Sequence, residues 1–109
     1  MNLQQSNTYR ELPIEFIGVG EVAGYYFKQV FTDGKWYIYL VNINSKPSHY
    51  ETLQRREIIA TNTKYAKENY VAYPRSNAFG VWAWTAKTLE HAKQIIAKHK
   101  QHSLIEKQI

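Results

Sequence analysis

The dipeptide Asp33-Gly34 stands between two runs of β-forming residues, YYFKQVF (25–31) and WYIYLVNI (36–43). This is a strong short-range hairpin signal, because a two-residue type I′ turn needs positive φ at both central positions. With that turn, Phe31 faces Trp36, Gln29 faces Ile38 and Phe27 faces Leu40. The opposite face then carries Tyr26, Lys28, Val30, Tyr37, Tyr39 and Val41. A three-residue loop with a bulge would shift the pairing by one and mix the two sets. The sharper segregation favours the first register.

The rest of the chain extends this pattern. PIEFIGVGEVAG (13–24) leads into the hairpin as strand and glycine-rich bend, and NSKPS (44–48) is turn chemistry. HYETLQRREII (49–59) is ambiguous. Ser48 and Glu51 have capping-box spacing, which argues for a helix start. Tyr50, Leu53, Ile58 and Ile59 make a poor helical stripe, however, and an outer strand with a charged face is the preferred reading. Arg55, Arg56 and Glu57 would then discourage edge pairing. TNTKYAKEN (61–69) is polar, a loop or a short helical turn, YVAY (70–73) is a short strand and PRSN (74–77) a turn.

FGVWAWTA (79–86) reads as the next strand, with Phe79, Val81 and Ala83 on one face and Gly80, Trp82 and Trp84 on the other. Thr88 is a candidate N-cap, and Leu89, Ala92, Ile95, Ile96 and His99 follow a helical stripe, predicting a helix over 88–102. Strands followed by one helix define an α+β domain. The expected architecture is a strongly bent, mostly antiparallel sheet of four or five strands against one C-terminal helix. Residues 1–12 are expected to be a flexible lead-in and 13–109 the domain. One helix, about 10 Å wide, cannot cover both faces of such a sheet. The sheet must curl around its own core, leave an aromatic face in water, or dimerise through it. Curling, with Trp82 and Trp84 mostly buried, is the preferred arrangement.

Composition narrows the function classes. At 109 residues, 44% hydrophobic and 21% charged, the chain is long and apolar enough for one hydrophobic core. It has no cysteine, which excludes disulfides, thiolate catalysis and cysteine-ligated metals. No apolar stretch has signal-peptide or membrane-span length, so a soluble cytoplasmic protein without membrane association is expected. The net charge is +5, and residues 87–109 hold five Lys against two Glu. That balance is compatible with an acidic partner, although solvated helices also carry lysine excess.

The glycines of GVGEVAG (18–24) approach the spacing of a dinucleotide loop, but a strand follows where a helix is required, so no cofactor is expected. His99 and His102 are spaced i, i+3, with Glu106 the nearest carboxylate. A metal site needs further ligands, and none is expected. Tyr, Arg75 and His49 could be drawn into a small active site, but no catalytic signature supports it. Around GEVAGYYFKQVF and YPRSNAFGVWAWT, across residues 18–96, the chain resembles short uncharacterised bacterial proteins. That resemblance implies no activity and no site residues.

The remaining signal is aromatic: nine Tyr, four Phe and three Trp. The leading expectation is a non-catalytic module that binds a protein partner or a second copy of itself through aromatic sheet surface. The alternative is single-stranded nucleic-acid binding, with bases stacking on Tyr26, Tyr37 and Tyr39 while Lys28, Lys93, Lys98 and Lys100 meet phosphates. A small enzyme is the third class. Salt separates the first two, since phosphate contacts weaken with a log–log slope of roughly −0.7 each on single strands and apolar contacts do not.

Overall fold

The computed structural model describes residues 9–60 and 68–108, with helix side chains described through Gln101. The elements are β1 (Glu15–Ile17), β2 (Tyr26–Thr32), β3 (Trp36–Ile43), β4 (Lys46–Gln54), β5 (Glu57–Ile58), β6 (Tyr70–Val71), β7 (Ala83–Ala86) and α1 (Leu89–Gln108). Five of the strands form one open antiparallel sheet in the order β1-β2-β3-β4-β7, and β5 pairs with β6 separately. This is an α+β domain. Residues 49–54 are strand, as the absence of a helical stripe indicated, but not the outer strand expected over 49–59: β4 ends at Gln54 and is paired on both sides, by β3 and β7.

The first hairpin closes one residue later than Asp33-Gly34 predicts. Asp33 N–H donates to the Trp36 carbonyl at 3.3 Å, so Gly34 and Lys35 are the central residues and only Gly34 has positive φ, at 90°. Asp33 instead serves as a turn cap, its Oδ1 accepting from the amides of Lys35 and Trp36, both at 2.9 Å. The I′ geometry falls in the second hairpin, where Asn44 and Ser45 have φ of 55° and 66°.

The pairing departs from the predicted register. Phe31 lies opposite Ile38, Gln29 opposite Tyr39 and Phe27 opposite Val41, with a break between Gln29 and Phe31. Val30 is the extra residue of a bulge, and beyond it side-chain parity reverses. Phe31 therefore stays with Trp36 and Ile38, as predicted, while Phe27 and Gln29 move to the face of Tyr37, Tyr39 and Val41. A second break places Ser48 as an extra residue on β4. Pro47 sits beside it, beyond the stretch of β4 that β7 pairs, where a missing N–H is tolerated.

Helix α1 covers one face. The Thr88 hydroxyl accepts from His91 N–H at 3.0 Å, making Thr88 the N-cap. Ala92 and Ile96 are buried against Trp36, Ile38 and Ala86, with Leu89, Ile95, Phe31, Tyr50 and Trp84 around them. His99 completes the stripe, stacking on Trp84 at 4.1 Å.

The other face is covered by irregular chain, an arrangement outside the three considered above. Phe27, Tyr37, Tyr39, Val41, Leu53 and Ala83 are buried beneath Leu12, Val71 and Ala78, with Phe16, Tyr73, Phe79 and Trp82 packed around. Residues 9–12 are part of that cover: Leu12 is buried and Arg10 bridges Tyr70. Residues 1–8 of the expected lead-in and 61–67 of the expected loop lie outside the described residues. Arg55 ties this layer to the sheet. Its guanidinium donates to both carboxylate oxygens of Glu11 at 2.6 and 2.8 Å, to Glu57 at 2.7 Å and to the Tyr37 hydroxyl at 2.8 Å.

The strand predicted over 79–86 is shorter, and this separates the two tryptophans. The Ala78 carbonyl accepts from the amides of Val81 and Trp82, both at 3.0 Å, and Gly80 N–H donates to Ala83 at 2.7 Å. Those bonds make 78–82 a turn, so β7 starts at Ala83. Trp82 joins the irregular layer, with the Arg56 guanidinium 5.2 Å from its ring, while Trp84 faces the helix. Both indoles are half-buried, on opposite sides of the sheet.

Thr52 lies opposite Ile38 and Trp84, and its fully buried hydroxyl has no hydrogen-bond partner among the described residues. A buried unsatisfied hydroxyl costs about 1–3 kcal/mol. Valine has the same branched shape without the polar atom, so Thr52→Val should raise unfolding stability by about 1 kcal/mol. Urea denaturation reads this as a higher midpoint at unchanged slope.

Candidate functional site

The residues expected to form one aromatic and basic surface do not share a face. Tyr37 and Tyr39 are 4% and 0% exposed, inside the core under the irregular layer. The Tyr39 hydroxyl donates to the Pro13 carbonyl at 2.6 Å and accepts from Gln29 Nε2 at 3.0 Å, and burial pushes it up to about 12. Tyr26 and Lys28 point to the opposite side, because the Val30 bulge reversed their parity relative to β3. Tyr26 donates to Glu15 at 2.6 Å. On α1, Lys93 lies 5.7 Å from the Phe31 ring centre, Lys100 pairs with Asp33, and Lys98 is exposed. Among the three tyrosines of the expected stacking platform, only Tyr26 is outside the buried core.

What the fold does assemble is a cleft of about 720 Å³ on the irregular side of the sheet. Its size and largely apolar lining match the usual form of a binding pocket. Phe16 on β1 and Phe27 on β2 lie opposite each other in register and stack at 4.6 Å with planes 5° apart. The Tyr73 ring meets both edge-on, at 5.2 and 5.6 Å, and meets Tyr39 at 5.1 Å. Pro74 follows in extended chain, and Arg75 and Phe79 continue the wall. On the far side, the 18–22 bend closes the cleft. Gly18 is required there, since a Cβ would lie 2.4 Å from the Val22 carbonyl oxygen. Val19 and Val22, at the opening, are 80% and 37% exposed.

One carboxylate faces this space from the sheet. Glu51, on β4, lies opposite Tyr39 on β3 and Thr85 on β7, and its side chain is 15% exposed. The Tyr73 hydroxyl donates to Glu51 Oε1 at 2.6 Å, and His49 Nε2 lies 3.3 Å from Oε2. His49 Nδ1 in turn lies 2.9 Å from the Ser48 hydroxyl. An imidazole carrying its proton on Nε2 satisfies both contacts, donating to Glu51 and accepting from Ser48. Burial, and then the Glu51 charge, push the Tyr73 hydroxyl far above the ordinary tyrosine range, so it remains a donor.

Ser48, His49 and Glu51 have the residue types of a hydrolytic triad, but neither Ser48 nor His49 lines the cleft. The hydroxyl therefore does not face the space a substrate would occupy. Of the group Tyr, Arg75 and His49, the fold brings Tyr73 and Arg75 to the cleft and sets His49 behind Glu51. Among the described residues no three His, Asp or Glu side chains converge on a metal position. The side chains of His102 and Glu106 lie outside them. No helix of the described residues is long and apolar enough to cross a membrane. No family model, curated protein or solved structure matches the chain.

The cleft residues Phe16, Glu51, Tyr73 and Phe79 were not singled out by sequence. One signal was available: in a strand over 49–54, Glu51 falls on the face of Leu53, a carboxylate turned inward.

The two raised hydroxyls set an alkaline limit. Tyr39 and Tyr73 stay protonated in the fold above the ordinary value of 10.0, whereas the unfolded chain ionises there. Their contribution is complete below about pH 10 and is lost as pH rises, at up to about 1.4 kcal/mol per pH unit per group. Urea midpoints should fall between about pH 10 and about pH 12 in the wild type. Tyr73→Phe, which cannot ionise, should fall less steeply by one proton's worth.

Proposed function

We propose that this domain is a non-catalytic binding module that takes a segment of a protein partner into the cleft between β1, the 18–22 bend and residues 73–79. The observation that supports this reading is the continuity of apolar surface from inside to outside. The stacked rings of Phe16 and Phe27 form the wall, and exposed Val19 and Val22 on the bend extend it past the opening. Large aliphatic side chains exposed beside a preformed cleft are the mark of a surface built for contact. The outer edge of β1, which no strand pairs among the described residues, adjoins the same opening.

The nucleic-acid alternative has weaker support. Two of its three rings are core residues, and the cleft itself presents Glu51 and Glu21, which repel phosphate. The enzyme alternative also has weaker support, since among the described residues no basic side chain is hydrogen-bonded to the cleft hydroxyls of Ser76 and Thr85.

Selection of random seven-residue peptides on the immobilised wild-type domain tests the proposal, with Val19→Asp and Val22→Asp as counter-selection. Both positions are exposed, so both variants should fold. Enriched peptides should shift amide resonances of residues 16–22 and 73–79, lose binding to both variants, and weaken little with salt. Binding that maps to α1 or Lys28, with a steep salt slope, would overturn the reading. A domain that self-associates through this surface should become monomeric in the same variants, as sedimentation would read.

A further inference from the structure

We infer that the cleft reads a positively charged side chain, Lys or Arg, beside an apolar residue of the bound segment; this rests on the cleft being the binding surface. Glu51 is the observation that carries it. A carboxylate 15% exposed, set among aromatic rings, is costly to keep there without a cation to face. Its present partners, the Tyr73 hydroxyl and His49, are one donor to each oxygen, whereas a carboxylate accepts about four hydrogen bonds. Those two partners hold the carboxylate in place without filling it.

The walls favour the same occupant. Phe16, Phe27 and Tyr73 line the space with aromatic surface. The aliphatic stem of a lysine or arginine fits such walls while its head reaches the carboxylate. Arg75 is the opposing charge on the lining. It is exposed, so water and salt screen it, while Glu51 acts from a less hydrated position at several times the strength per contact. The net preference is for a cation at the floor.

Three acetylated, amidated tripeptides give the test: Leu-Lys-Leu, Leu-Gln-Leu and Leu-Glu-Leu, titrated by NMR into the labelled domain. The lysine peptide should bind about tenfold more tightly than the glutamine peptide, and the glutamate peptide most weakly. Glu51→Gln keeps an acceptor for Tyr73 and should abolish the lysine preference while leaving the glutamine peptide unchanged. Glu90→Gln, exposed on α1 across the sheet from the cleft, should leave the preference intact. The wild-type series decides the matter even if Glu51→Gln fails to fold. Equal lysine and glutamine affinities with shifts at the cleft would overturn the charge inference and leave the cleft reading standing. Tightest binding of the glutamate peptide would overturn it in favour of Arg75. Binding of all three with no shift at residues 16–22 or 73–79 would overturn both.

Discussion

A five-stranded sheet about 20 Å wide with apolar side chains on both faces must be covered twice, and one α-helix about 10 Å wide covers it once. The chain solves the second covering with irregular segments, residues 9–13 and 70–82, held down by Leu12, Val71, Ala78 and the Arg55–Glu11 pair. Closing the sheet into a barrel would have needed its edges to meet, and β1 and β7 lie at opposite ends of the strand order. The two cores then divide the labour. The helix side packs around Ile38, Ala92 and Ile96 with Trp36 and Trp84, and the other side around Phe27, Tyr37, Tyr39 and Leu53.

The Val30 bulge is the device that makes the two cores compatible. Without it, Phe27 would lie on the helix face with Phe31, at the end of the sheet that the helix does not reach, and Tyr39 would lose its Gln29 partner. With it, Phe31 packs under the helix side while Phe27 turns to stack on Phe16. A single extra residue thus decides which face each aromatic serves, and it also dissolves the surface that strict alternation would have grouped from Tyr26, Lys28, Tyr37 and Tyr39.

What the sequence made legible follows the range of the forces involved. The helix was readable because its signals are local: Thr88 caps it, and Ala92, Ile96 and His99 repeat at helical spacing. The strand over 49–54 was readable by the failure of that spacing. The bulge was not, because nothing in KQVFT distinguishes a residue that steps out of a ladder; the requirement comes from Phe16 and the helix, far along the chain. The Trp82–Trp84 pair was misread for the same reason. Alternation presumes continuous strand, and the bonds to the Ala78 carbonyl break the strand before Ala83. The cleft was least legible, since its walls come from β1, β2, β4, β7 and the 73–79 segment.

The cleft is best understood as a consequence of that second covering. A helix presents a nearly continuous ridge to a sheet, but extended chain and turns cannot tile one without gaps. Where residues 73–79 cross from β6 towards β7, they leave the end of the sheet near Phe16 and Phe27 open, and the 18–22 bend rises on the other side. An inert gap of this kind would be expected to fill with aliphatic side chains. Here the inward position on β4 is a carboxylate held by a tyrosine that stays protonated, and two aliphatic residues stand exposed at the opening. Both choices raise the free energy of the unbound domain, the first by desolvating a charge and the second by wetting apolar surface. A partner that brings a cation and an apolar side chain would relieve both at once.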